Sequence, residues 1–456
     1  MKRSGILIFL IVLLFANCEK AHSFWFFGHS DQAKPQVQPS VAPLPPLTLE
    51  EAYRLSLIQS EDVAMKQQEL EKAQGHTYLA VNEVMPDISF LMTELVQDAP
   101  KKGSVAGASE GASSNLTRRT NPQKKFTLHQ PVFSGFKEIA GLAGAGAEKA
   151  QKRYEKRRAE ETLLSDVVDA FYSVKQAEKD VVTLEETRKT LEDRVAELKE
   201  RVSIGRSRES ETQTALSDQK KVEAQLISSR SDAVIARQTL EYYIGRAVDG
   251  PLEGAEADVP AEKDFDYYMD KIDSRSDVRA ASEAYTLAEK NVVVAQSGLF
   301  PSAYLDGNYY TQRQGFQSGI DWDLLLSVNV PVFNGTETIG DIKVAAAEKE
   351  MARYNFLKAK RLARLDIRRA YEEYRSAKLE DSALNEAAEA KKKDYELQNA
   401  DYKLNLVSNL DVLTALKDYQ DLSRQFHQAH YDAKKKYWQL QVAAGDMPFL
   451  DKDKKK

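Results

Sequence analysis

The phrase Gln130-Pro131-Val132-Phe133-Ser134-Gly135-Phe136 returns 200 positions later as Val330-Pro331-Val332-Phe333-Asn334-Gly335-Thr336. The same offset carries Ala147-Glu148-Lys149 onto Ala347-Glu348-Lys349, Arg153-Tyr154 onto Arg353-Tyr354, Thr214-Ala215-Leu216 onto Thr414-Ala415-Leu416, and Gly245 onto Gly445. Residues 131–245 and 331–445 therefore align without an insertion, which points to duplication of one rigid element within the 456-residue chain.

That element is a long helix, a turn and a returning helix. In the first copy, apolar residues alternate at spacings of three and four through Leu163, Val167, Ala170, Val174, Ala177, Val181, Leu184, Leu191, Val195, Leu198 and Val202, with Arg188 the one intruder. This is a coiled-coil seam. The second copy continues the register with Ala370, Tyr374, Ala377, Leu384, Ala388, Tyr395 and Tyr402, but Asp381, Lys391 and Gln398 interrupt it. No proline falls between Phe136 and Ile204, so at ~1.5 Å per residue the first helix reaches about 100 Å. Such a length suits an element that crosses a gap. Gly205 and Asn405, residue types that enter a left-handed backbone readily, mark where each long helix stops and the chain reverses. Ser210 and Ser408 are candidate caps for the returning helices.

Strand signals precede each copy of the phrase. Ile320, Trp322, Leu324, Leu326, Val328, Val330 and Val332 alternate with Asp321, Asp323, Ser327 and Asn329, and only Leu325 breaks the pattern. A shorter run with Phe126 and Leu128 stands in the first copy, and further strands follow Pro86 and Pro301. The expected strands are 86–97, 124–133, 302–312 and 320–333. Before Pro86 the sequence reads as one helix to about Met85, opened by a capping box of Thr48 and Glu51. The repeated phrase is then a strand-to-helix hinge: Pro131 and Pro331 end ladder pairing, and Gly135 and Gly335 let the backbone bend.

The first residues carry Lys2 and Arg3, an apolar run from Ile6 to Ala16, and a polar zone. This reads as an export signal, because the run is too short to span a bilayer. Cleavage after Ala21-His22-Ser23 gives a signal peptide of 1–23 and removes Cys18; the alternative is lipidation of Cys18, the chain's single cysteine. The remaining expected divisions are a proline-rich leader 24–46, a first repeat 47–250 with its helical hairpin at about 136–245, a linker 251–273, a second repeat 274–447 with its hairpin at about 337–445, and a basic tail 448–456. The net charge of −6 gives no sign of a nucleic-acid partner. Downstream of the signal no apolar run is long enough for a transmembrane helix, so entry into a membrane requires a closed barrel. Strands of about ten residues with one apolar face suit a barrel wall, yet one chain offers four and the smallest membrane barrels need about eight. Strands must be pooled between chains.

With the export signal, the duplicated Pro-Val-Phe-x-Gly, Leu47-Thr48-Leu49-Glu50-Glu51-Ala52-Tyr53 and Leu404-Asn405-Leu406-Val407-Ser408-Asn409-Leu410 in place, the sequence resembles the TolC-type outer-membrane efflux channels over roughly residues 47–447. The resemblance implies a mainly α fold with a small β part: a homotrimer whose pooled strands make a twelve-stranded barrel in outer-membrane lipid, and whose hairpins make an α-helical barrel across the periplasm. It further implies an exit duct of a tripartite efflux or type I secretion system, meeting a periplasmic membrane-fusion adaptor protein and, through it, an inner-membrane pump. The adaptor-contacting tips map to Ile204, Gly205, Arg206, Ser207 and Arg208, and to Leu404, Asn405, Leu406, Val407 and Ser408. Asn405 replaces the glycine common in that family. Asp394, Glu396 and Asp401 are the candidate acidic residues of the periplasmic mouth.

The function so read is passive conduction, gated by the second hairpin loosening against the first through Asp381, Lys391, Gln398 and His430. The competing reading is an exported, non-conducting helical rod that spaces envelope layers, which leaves four one-sided strands without a use. An enzyme is not indicated. His427 and His430 share a helix face, but no carboxylate or thiol stands at ligand spacing beside them, and no cofactor or phosphate-cradling loop is expected.

Overall fold

The computed structural model describes residues 46–98, 120–253, 263–314 and 317–447. The signal segment, Cys18, the leader, the 99–119 loop and the basic tail lie outside the described residues.

A two-residue strand β1 (Leu47–Thr48) leads into α1 (Leu49–Gln59) and α2 (Glu61–Asn82). The Thr48 hydroxyl accepts from the Glu51 N–H at 3.2 Å, as the cap at this position requires. The single helix expected to about Met85 is in fact two. Ser60 turns extended (ψ 116°) and its hydroxyl accepts from the Val63 N–H at 3.3 Å, so one serine ends α1 and starts α2. Glu61 and Asp62 then sit in the first turn of α2, where the helix dipole favours them.

The strands are β2 (Asp87–Val96), β3 (Thr120–Ser134), β5 (Ser302–Gln312) and β6 (Trp322–Asn329), in one antiparallel sheet of order β2-β3-β5-β6. Between them run α3 (Lys137–Ser203), α4 (Glu209–Ile244), a short β4 (Leu252–Glu253) parallel to β1, α5 (Phe265–Met269) and α6 (Ser276–Gln296). The chain ends in α7 (Glu337–Lys403) and α8 (Asn409–Ala444). The expected linker thus holds β4 and α5. Both long helices have 67 residues, about 100 Å each.

The hinge departs from expectation in its first copy. β3 continues through Pro131 to Ser134 with a bulge between Pro131 and Phe133. Pairing with β2 has already ended at His129, so the missing N–H of Pro131 faces no strand on that side. In the second copy β6 stops at Asn329, two residues before Pro331. Gly135 and Gly335 are left-handed (φ 67° and 70°), and Phe136 joins Gly135 there at φ 71°. Ser210 lies inside α4, whose cap position is Arg208 with no side-chain bond. Ser408 does cap α8, in a reciprocal box with Asp411.

Apolar burial follows the seams. Leu163, Val167, Val174, Leu240 and Ile244 join Tyr53 and Phe171 in a waist cluster; Leu184, Leu191, Leu198, Val222, Val412 and Leu416 join the two hairpins nearer their turns; Ile367, Tyr374, Tyr437 and Leu440 form a third cluster with Tyr268.

A Cβ on Gly135 would stand 2.6 Å from the Ser297 carbonyl oxygen, whereas one on Gly335 meets nothing within 4 Å. Gly135→Ala is expected to cost about 3 kcal/mol from overlap added to backbone strain, and Gly335→Ala about 1 kcal/mol from strain alone. Circular dichroism on heating should rank them in that order; equal loss would refute the crowding at Gly135.

Candidate functional site

The sheet's two faces differ in chemistry. Register places Ile88, Leu128, Gly307 and Leu324 in one row and Phe90, Phe126, Tyr309 and Trp322 in the next, with Leu305–Leu326 and Ala303–Val328 beyond. Phe90 and Phe126 are in ring contact at 5.0 Å. This face is apolar, and Ile88, Phe90, Trp322, Leu324, Leu326 and Val328 are exposed on it. The opposite face is a polar ladder: Ser89 and Thr127 at 2.6 Å, the Lys125 ammonium donating to Asn308 at 2.8 Å, Asn308 donating to Asp323 at 2.7 Å, and His129 beside Asp306 at 2.6 Å. Apolar outside and hydrogen-bonded inside is the pattern of a membrane barrel wall.

The helices continue the strand order. On the sheet side α2 packs on α3, α3 on α6, and α6 on α7; on the far side the order is α4, α3, α8, α7. One layer, four helices wide, therefore hangs from a sheet four strands wide. Its free edges are α2 with α4 on one side and α7 on the other. No helix among the described residues is long and apolar enough to cross a membrane.

At the waist Arg275 ties the second copy together. Its side chain is 1 % exposed and donates to Asp277 at 2.7 and 3.0 Å, to Asp366 at 3.2 Å, and to the Ala443 and Ala363 carbonyls at 2.8 and 3.3 Å. The start of α6, the end of α8 and the middle of α7 thus share one guanidinium. Burial works against the Asp277 carboxylate, but the hydrogen bonds and charge of Arg275 outweigh it and hold that carboxyl below its usual range. Nothing in the sequence pattern marked Arg275; a lone arginine just before a helix carries no periodicity to read.

The tips are as the duplication requires. Gly205 and Asn405 are both left-handed (φ 74° and 59°). The Arg206 and Leu406 N–H groups reach back to the Arg201 and Asp401 carbonyls at 2.8 and 3.0 Å, so glycine and asparagine build the same turn. Ile204, Leu404 and Leu406 are exposed, Val407 half-buried. Ser207 donates to Glu211 at 2.5 Å, and Ser408 to Asp411 at 2.6 Å. Arg206 and Arg208 complete the first tip.

Just above the tips, Tyr402 is buried between Arg194 and Arg201, whose guanidinium carbons lie 4.4 and 4.5 Å from its ring centre. Arg194 also donates to Asn399 at 2.9 Å and to Glu197 at 2.9 Å. This clamp joins α3 to α7, and sequence reading gave only Tyr402, as a seam residue. Of the candidate mouth acids, Asp394 pairs with Lys391 at 3.4 Å, Glu396 is exposed, and Asp401 is half-buried at the turn. Lys391 also pairs with Asp418 at 3.0 Å. His430 lies 3.2 Å from Asp381, while burial, with Lys179 and His430 nearby, pushes His427 down to about 4. No group of three or more histidine, cysteine or acidic side chains among the described residues is arranged to hold a metal.

The family model for the outer membrane efflux protein matches residues 52–246 and 268–446. The chain is 21% identical over 345 residues to the outer membrane efflux protein BepC of Brucella suis biovar 1 (strain 1330), covering 74% of this chain and 75% of that one. Among solved structures it is similar to the outer membrane protein VceC of Vibrio cholerae, with a TM-score of 0.73, 16% identity, and 87% of this chain and 96% of that one covered. It is also similar to the Campylobacter jejuni CmeC outer membrane channel, with a TM-score of 0.72, 15% identity, and 89% and 88% covered.

Arg275→Ala should cost about 3 to 5 kcal/mol, because it strands two carboxylates and two carbonyls. Asp277 adds an acid dependence. Its folded pKa is depressed, so its stabilisation is complete above the unfolded value of about 3.9 and is lost as pH falls through the folded value. Melting should therefore weaken below about pH 4 in the parent and less so in Arg275→Ala; identical acid profiles would show the cluster to be silent.

Proposed function

The chain belongs to the outer membrane efflux protein family, and on that premise we propose that three copies close their sheets into one barrel and their helical layers into one tunnel. It is an outer-membrane exit duct of tripartite efflux with a periplasmic helical extension, and it is not an enzyme. The observation that carries the trimer reading is the pair of free sheet edges. β2 and β6 end the order β2-β3-β5-β6 with no further partner among the described residues. Because every neighbouring pair is antiparallel, β6 of one copy meets β2 of the next in the same sense, and the unpaired backbone groups are satisfied without lipid contact. The apolar face then turns to lipid and the Lys125, Asn308, Asp323 and His129 ladder lines a wet bore.

Cargo enters at the tips, which meet the periplasmic adaptor, and the inner-membrane pump supplies the work. Exposed Ile204 at the first hairpin end, with Arg206 and Arg208 as a basic rim, and exposed Leu404 and Leu406 at the second each offer a small apolar surface. The carriers of the gate are the Arg194–Tyr402–Arg201 clamp and the polar seam of the second hairpin. Glu396, exposed on α7, is the mouth carboxylate best placed to meet a passing cation, since Asp394 is already paired.

Leu404→Asp with Leu406→Asp is expected to weaken adaptor capture at least tenfold while leaving the trimer intact on size-exclusion chromatography with light scattering; unchanged capture would remove the tips from the docking surface. Tyr402→Ala should raise open-state conductance in planar bilayers severalfold. Current equal to the parent would mean that the clamp does not hold the gate.

A further inference from the structure

A second offset relates the shorter helices. Tyr53 and Tyr268, Asp62 and Asp277, Val63 and Val278, and Pro86 and Pro301 each stand 215 positions apart. Tyr53 and Tyr268 are both 1 % exposed, and Val63 and Val278 are both buried. The start of α2 is therefore the counterpart of the start of α6, and the waist is built twice.

The position that gathers the second waist differs between the copies in charge and size. Where the second has Arg275, the first has Ser60. The counterparts of its partners remain: Asp62 for Asp277, Asp166 for Asp366, Leu163 for Ala363 and Tyr243 for Ala443. These four line, with Ser60, a cavity of about 670 Å³. Six carboxylates and two cations face it. Both cations are engaged, Lys66 with Glu69 at 2.8 Å and Arg158 with Glu161 at 3.2 Å. Burial, together with Asp169 and Asp62, raises the Asp166 pKa, as expected of a carboxyl without a counter-ion.

The cavity lies over α3, between the start of α2, the end of α4 and the start of α6. Its α2 and α4 walls belong to the edge of the helical layer that the trimer reading turns toward the α7 of a second copy. The in-chain seam shows how such an edge is closed. There α3 packs on α6, the Ser276 hydroxyl donates to Glu161 at 2.6 Å, and the Arg158 charge acts on Asp277. Applying the offsets of 200 and 215 replaces Glu161 by Arg361, Arg158 by Lys358, Ser276 by Glu61 and Asp277 by Asp62. Two of the four keep their charge, and the two that change it, Glu161 to Arg361 and Ser276 to Glu61, make the between-copy seam more complementary. Lys358 and Arg361 are exposed and make no ion pair within the described residues.

We propose that Arg361 and Lys358 of the partner subunit seat against Glu61 and Asp62 at this cavity, supplying from a second copy the cation that Arg275 supplies within the chain. The inference rests on the trimer reading and names its seam at the waist. Charge reversal separates the two claims. In the full chain with Cys18→Ser, Glu61→Cys plus Arg361→Cys should give reducible dimer and trimer bands on denaturing gels. Glu61→Arg with Asp62→Arg should lower the temperature at which the detergent-solubilised trimer dissociates, and adding Lys358→Glu with Arg361→Glu should restore it. A trimer by light scattering with no cross-link and no loss on reversal leaves the cavity to solvent or a soluble cation, and overturns the proposal while the trimer stands. A monomeric parent chain overturns both.

Discussion

The unpaired edges of a four-stranded sheet govern this molecule. In water such edges are tolerable; in hydrocarbon each unsatisfied N–H or C=O costs several kcal/mol, and β2 and β6 together present a strand's length of them on either side. The apolar rows from Ile88 to Leu324 and from Phe90 to Trp322 make hydrocarbon the favoured surroundings of one face. The chain is thus driven into lipid by its side chains and kept out of it by its backbone, and ring closure between copies removes the conflict. The helical layer inherits its width and order from the sheet, because each strand runs on into a helix through the hinge or after a proline.

Much of this was legible. The ungapped offset of 200 fixed the hairpins and their turns, and the strand 302–312 falls where it was read. Period alone could not see that Ser60 breaks a helix, since Glu61 and Asp62 continue a plausible polar face; the break comes from one hydroxyl serving two helix ends. Nor could it see that Pro131 stays within β3, because that depends on where β2 stops beside it. Ser408 was recognised as a cap, but Ser210 was not one: the helix begins one residue earlier, after Arg208.

The chemistry of the waist and clamp was the least legible part. Arg275 gathers carbonyls from Ala363 and Ala443 and carboxylates from Asp277 and Asp366, residues up to 168 positions away. Arg194 reaches Asn399 across 205 positions. Such convergence is a property of topology, and a local pattern carries no trace of it. Only the second offset, which the long hairpins do not share, brings the two waists into register and lets one be read against the other.

Duplication gives two hairpins of equal length, and divergence gives them unequal stability. The first seam runs Leu184, Leu191, Val195 and Leu198 through a buried apolar cluster. The second carries Asp381 against His430, Lys391 against Asp394 and Asp418, and a Gln398 carbonyl oxygen buried with no hydrogen-bond partner. An unsatisfied buried acceptor costs about 1 to 3 kcal/mol, and half-exposed ion pairs return little of what apolar packing supplies. The second hairpin is therefore held less by its own seam and more by the Arg194–Tyr402–Arg201 clamp to its neighbour. Elements that move are drawn from the less stable end of a structure, and the gating proposed above follows that rule: loosening one clamp near the tips would free the second hairpin while the first kept its place.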